Sequence, residues 1–191
     1  MERSIAVYRT IRRVTPPESP YAGRLAADGD AVVVLVDAEQ LGHGWAGWTR
    51  DADSHLCTPL DVARSADGHD IVLPWFTERV DRYLDRRQAS PVGGGEAVTL
   101  LVSAIRAVHA SRLRLARTAT GPTGSWWLTD AGRPVFCDGG TEPIESATAT
   151  IARRIAQTAH DRVITRVAAE IADLLGDLGA LDGASHDRTA L

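Results

Sequence analysis

Apolar positions in the first third of the chain fall in spans too short for helices. Ile5, Val7 and Ile11 punctuate a polar stretch, and Tyr21 to Ala26 follows a proline-rich turn. Ala31 to Val36 is an uninterrupted apolar run containing Val32, Val33 and Val34. A short run rich in β-branched residues predicts a strand buried on both faces. Asp28-Gly29 just before it is a hairpin signal. Leu56 to Ala63 and Asp70 to Trp75 then flank Ala66-Asp67-Gly68, a second hairpin. Between Asp37 and Ser54 the glycines at 42, 44 and 47 weaken a helix, although Asp37 is placed to cap a short one.

After Pro74 the period changes. Thr77 is positioned to cap a helix with Val80, Tyr83 and Leu84 on one face, Glu78 in its first turn and Arg86 and Arg87 in its last. Gln88 to Gly95, with Pro91 and three glycines, reads as a linker. From Glu96 to His109, Val98, Leu101, Ile105 and Val108 recur at helical spacing. A third hairpin follows: Trp126 to Thr129, a turn at Asp130-Ala131-Gly132, and Pro134 to Cys137. From Thr141, Ile151, Ile155, Val163, Val167, Ile171 and Leu174 continue a helical pattern to Gly176, and residues 177–191 read as a frayed tail. Strands first and helices later predict an α+β fold.

Composition narrows the chemistry. The 191 residues carry 21 basic and 25 acidic side chains, and every basic one is Arg; neither Lys nor Asn occurs. A Gly-Lys-Ser/Thr phosphate loop and a Schiff-base mechanism both need an ammonium group, and a guanidinium cannot replace it because it holds its proton near neutrality. The acidic balance argues against nucleic acid as a partner. The apolar runs are far below the roughly 20 residues of a membrane helix. With no apolar leader and only Cys57 and Cys137, the expected location is the cytoplasm.

Taken in order, these segments resemble a bacterial Ser/Thr protein kinase domain over residues 5 to 140. Tyr8 to Val14 resembles the first strand of that family's small lobe, and the chain to Val36 resembles its glycine-rich loop and next two strands. Ser54 to Arg64 and His69 to Phe76 resemble the fourth and fifth strands, and Leu73-Pro74-Trp75-Phe76 the hinge between lobes. Thr77 to Arg87 and Gly95 to Ala110 resemble two large-lobe helices, and Trp126 to Val135 the hairpin before the metal-binding motif. The resemblance implies a small antiparallel-sheet lobe (residues 4–75), then a truncated, mainly helical lobe (76–176) with a hairpin at 125–138.

The family's phosphoryl chemistry rests on a lysine, a catalytic aspartate, an asparagine and a metal-binding aspartate. The lysine position falls near Leu35, and the glycine loop reads Thr15-Pro16-Pro17-Glu18-Ser19-Pro20, with prolines that remove backbone donors and a carboxylate beside the phosphates. The catalytic aspartate falls near Thr120 and the asparagine on Ser125. Only Asp138, in Cys137-Asp138-Gly139-Gly140, matches, so it is the one candidate for contact with a nucleotide or metal. Each missing electrostatic contributor costs on the order of 10²- to 10³-fold in rate. The expectation is therefore an inactive, pseudokinase-like module with no catalytic residue, cofactor or metal, acting by binding a protein. Two alternatives stand beside it: a nucleotide-binding module with little or no transfer, and an unrelated α+β structural protein.

Other constellations are weaker. His55, Cys57 and Cys137 are too few for a zinc site. Ser125 with His109 and an aspartate lacks the Gly-x-Ser-x-Gly elbow of a hydrolase. Arg112, Arg114 and Arg117 read as a solvated helix end. Trp126 and Trp127 are adjacent, so an extended chain sends them to opposite faces. One enters a core; the other needs a second surface, either the C-terminal helix folded back or a partner, including a second copy of the chain.

Overall fold

The computed structural model describes residues 3–4, 8–41, 55–65, 68–87, 90, 92–115 and 121–186. Six strands form the first sheet: β1 (Arg3–Ser4), β2 (Arg9–Val14), β3 (Gly23–Asp28), β4 (Ala31–Asp37), β5 (Asp61–Arg64) and β6 (His69–Pro74). Their order is β1-β5-β6-β4-β3-β2, antiparallel except for the β1–β5 edge pair. Gly29, at φ 61°, makes the tight β3–β4 turn that Asp28-Gly29 predicts. The long valine run is β4, with Val33 to Val36 all buried, as a central strand covered on both faces requires.

Cross-strand register sorts the faces. Val14, Leu25, Val34, Val36, Ile71 and Leu73 point one way into one cluster. Tyr8, Ala26, Val33, Leu35, Ala63 and Val72 form another on the opposite face. Leu35 therefore points to the outer face of the sheet, and Val34 and Val36 occupy the side facing the rest of the molecule.

The second sheet has order β7-β8-β9, from β7 (Phe76–Arg79), β8 (Thr123–Thr129) and β9 (Pro134–Pro143). Its helices are α1 (Val80–Arg86), α2 (Gly94–Leu115), α3 (Ile144–Thr158) and α4 (Arg162–His186). On one face of the β8–β9 hairpin, Trp126, Leu128 and Phe136 join the helical core with Leu101, Ile144, Ile151 and Ile155. On the other face, Trp127, Val135 and Cys137 join the inner face of the first sheet. The architecture is α+β: a sheet, a smaller sheet and a helical layer.

Several expectations change. Thr77 caps nothing; it lies in β7, and its hydroxyl donates to Leu128 O at 3.3 Å, while α1 begins after Arg79 without a side-chain cap. Leu56 to Ala63 is a strand only from Asp61; Leu56 instead makes an isolated bridge to Phe136. The long helical pattern after Thr141 breaks at 159–161, where the Asp161 carboxylate accepts from the N–H groups of Val163 (2.7 Å) and Ile164 (3.2 Å) and starts a new helix. That helix runs through 177–186, where the sequence reads as a frayed tail, and residues 187–191 lie outside the described residues. The α2 stripe also divides: Leu101 and Val108 are buried, whereas Val98 and Ile105 face outward. Ile5, Val7, the glycine-rich stretch 42–54 and the 66–67 turn lie outside the described residues. No described helix is long and apolar enough to cross a membrane.

Candidate functional site

The chain crosses from the first sheet to the second through Leu73-Pro74-Trp75-Phe76. Leu73 and Pro74 end β6, Phe76 opens β7, and both Leu73 and Phe76 are fully buried. The Trp75 carbonyl accepts from Asp130 N–H at 3.0 Å, which ties this crossing to the β8–β9 turn.

Between the sheets the space is packed with aromatic rings. Tyr21 meets Phe76 edge-to-face with centroids 6.5 Å apart, and Phe76 meets Trp127 in the same way at 6.3 Å. Trp127 is buried, its indole N–H donating to Ser125 Oγ at 2.9 Å; Trp126 is buried on the other side, donating to Thr148 Oγ1 at 3.2 Å. The two indoles do take opposite faces. Neither is a surface anchor, because the second surface that Trp127 needs is the first sheet rather than a partner. Trp126 takes the cover that folding back provides, but from α3 (Ile151, Ile155) and not from Val163 and Val167, which stay exposed.

At one end of this packing lies a cavity of about 320 Å³ lined by Pro20, Tyr21, Val36, Gln40, Leu41 and Asp138. Asp138 sits in β9, half-buried, followed by Gly139 at φ 114°, a conformation side chains avoid. Gly124, its partner in register, is required there: a Cβ on it would fall 1.9 Å from Cys137 O. Burial first, then the neighbouring Cys57, Cys137 and Asp138, hold the Tyr21 phenol well above its ordinary pKa. Burial likewise pushes the Cys137 thiol well up, helped by Cys57 and Asp138. Both groups therefore remain protonated near neutrality, and among the described residues the cavity offers a single carboxylate on an otherwise neutral wall.

Glu18 does not lean over this cavity. It pairs with Arg12 at the surface and lines a second pocket of about 550 Å³ with Thr77, Glu78, Arg79 and Arg86. Two of the three arginines there are paired, Arg86 with Glu78 at 2.6 Å and Arg79 with Asp81 at 2.8 Å, and Arg82 lines the pocket beside them. A third pocket of about 570 Å³, on the outer side of the first sheet, includes Arg13, Arg24, Asp37 and Asp70. Asp70 is buried and binds Arg24 at 2.6 Å. Burial raises its pKa, Arg24 opposes that rise and Asp37 adds to it.

Of the sequence-based candidates, the structure brings Asp138 together with Tyr21 and Val36. It does not assemble the others. Ser125 is engaged by Trp127, His109 is exposed on α2, and Thr120 lies outside the described residues. His55 Nδ1 lies 3.0 Å from Pro134 O, and no three His, Cys, Asp or Glu side chains among the described residues converge as metal ligands. Two features escape the sequence reading: Tyr21 as the roof of the cavity and the Arg24–Asp70 pair. The latter leaves a trace, an aspartate opening the apolar run Ile71-Val72-Leu73 and so carried into the sheet interior. The chain matches no family model, and no curated protein is similar to it.

Proposed function

We propose that the chain is a kinase-like module that transfers no phosphoryl group and acts by binding another protein. The observation carrying this is the aromatic stack Tyr21–Phe76–Trp127, which makes a core of the space where a nucleotide cleft would open. Element order supports the kinase-like part: five antiparallel strands, a crossing at Leu73 to Phe76, helices, and a hairpin that carries Asp138 on its second strand. The residues do not fit a magnesium nucleotide. The inward side chains of β4 are Val34 and Val36, and Asp138 is the only charged group lining the cavity among the described residues. A polyphosphate there would meet a carboxylate with no cation to offset it.

The second reading, a nucleotide held without transfer, has the 320 Å³ cavity beside Asp138 in its favour. Thermal denaturation with and without ATP and magnesium separates the two. The expected result is no saturable shift, whereas a ligand at about 100 times its Kd would stabilise the fold by about 2.7 kcal/mol and move the midpoint by several degrees. Release of labelled phosphate from ATP that disappears in Asp138→Ala would overturn the proposal.

A further inference from the structure

Helix α4 has two apolar faces, and only one of them is used. Ala168, Ala172 and Leu175 are buried against the helical core, with Ile164, Ile171 and Leu178 partly buried beside them. Val163, Val167 and Leu174 point away from it, at 59%, 39% and 64% exposure. Large apolar side chains repeated along one exposed helix face mark a surface that is covered in use. A second helix also exposes apolar side chains. On α2, Val98, Val102 and Ile105 are each more than 40% exposed. Their row begins one turn after Gly94, where a Cβ would lie 3.3 Å from Ile164 Cδ1 of α4.

Charge and spacing on α4 identify what covers it. The exposed flank is basic before its midpoint, at Arg162 and Arg166, and acidic after it, at Asp173 and Asp177, with Glu170 at the midpoint itself. Along the exposed face, Val163, Val167 and Leu174, with Leu178 partly buried at its edge, are spaced symmetrically about a point between Glu170 and Ile171. A face with mirrored apolar spacing and charge that reverses at its midpoint is its own complement when turned end for end. Parallel pairing would instead place like charges together.

We propose that two copies of the chain associate through α4 in antiparallel, two-fold fashion. Val167 of one copy then packs on Leu174 of the other, Val163 reaches the outer edge of Leu178, and Arg166 comes beside Asp173 of the second copy, twice by symmetry. Arg166 already leans toward Glu170 one turn on, at 3.9 Å. This inference does not depend on the kinase-like reading; nucleotide binding and self-association are measured separately and fail separately.

Sedimentation equilibrium on the full chain, from about 1 to about 100 µM, tests it. The expected result is a monomer–dimer equilibrium in which Val167→Glu with Leu174→Glu raises the dissociation constant by about tenfold or more. Arg166→Asp weakens the dimer, and adding Asp173→Arg to it restores the association, which a non-specific apolar contact would not do. All four positions are exposed, so unchanged circular dichroism and melting show that each variant still folds. A chain that stays monomeric throughout the range, a dimer indifferent to the double glutamate variant, or a charge swap that fails to restore association would each overturn the proposal.

Discussion

Asp70 shows how much one buried carboxylate can impose on the fold. Its side chain is 7% exposed and its partner Arg24 is 39% exposed, so water solvates the guanidinium but not the acid. Burial outweighs the ion pair, and the folded-state pKa lies above the ordinary aspartate value. The folded state therefore holds a proton that the unfolded chain has already released, and stability falls as pH rises through that window. Asp70→Asn keeps the shape and removes the titration. Urea denaturation of both proteins from pH about 3.5 to about 7 is expected to show wild type losing stability relative to the variant as pH rises. A difference that stays constant with pH, or grows in wild type's favour, would contradict this. Nothing local in the sequence announces the pair, because Arg24 and Asp70 lie 46 residues apart and meet only through the register of β3, β4 and β6. The adjacent tryptophans are the opposite case. Their opposite faces follow from strand geometry alone, whereas the surface that receives Trp127 depends on the whole first sheet.

Elements were legible where period and turn chemistry agreed. The β3–β4 and β8–β9 hairpins follow from Asp-Gly and Asp-Ala-Gly turns, and β4 from its valines. The α3–α4 break was not legible, because apolar spacing runs through it from Ile155 to Val163 while the local signal is one aspartate. Asp161 is that signal: its carboxylate satisfies two backbone N–H groups that a helix start leaves without partners. Asp161→Ala is expected to cost about 1 kcal/mol, read from chemical denaturation, and Asp161→Ser much less. Equal losses in both variants would mean that the carboxylate serves something other than the cap. Helical spacing also cannot tell a buried stripe from an exposed one. On α2 it groups Val98 and Ile105 with Leu101 and Val108, and only the packing of α3 and the β8–β9 hairpin separates them.

Across the whole molecule, a boundary at residue 75 divides the first sheet from the second sheet and the helices but not one core from another. Val14, Leu25, Val34, Val36, Ile71 and Leu73 from the first sheet share one cluster with Phe76, Trp127, Val135 and Cys137. A fragment ending at Trp75 would expose one full face of its sheet, and the second sheet would lose the cover of Trp127. Burying side chains of this size contributes about 1.5–3 kcal/mol each, a large part of the 5–15 kcal/mol that separates folded from unfolded domains. The two parts are therefore expected to unfold together: one calorimetric transition, with calorimetric and van't Hoff enthalpies equal. Residues 1–75 expressed alone should give no cooperative transition. Phe76→Ala should lower the single midpoint without splitting it, since the ring belongs to both sides. Two resolved transitions in the wild-type chain would mean that the aromatic stack is a contact between independent units, and the nucleotide-binding reading would then gain the opening cleft it needs.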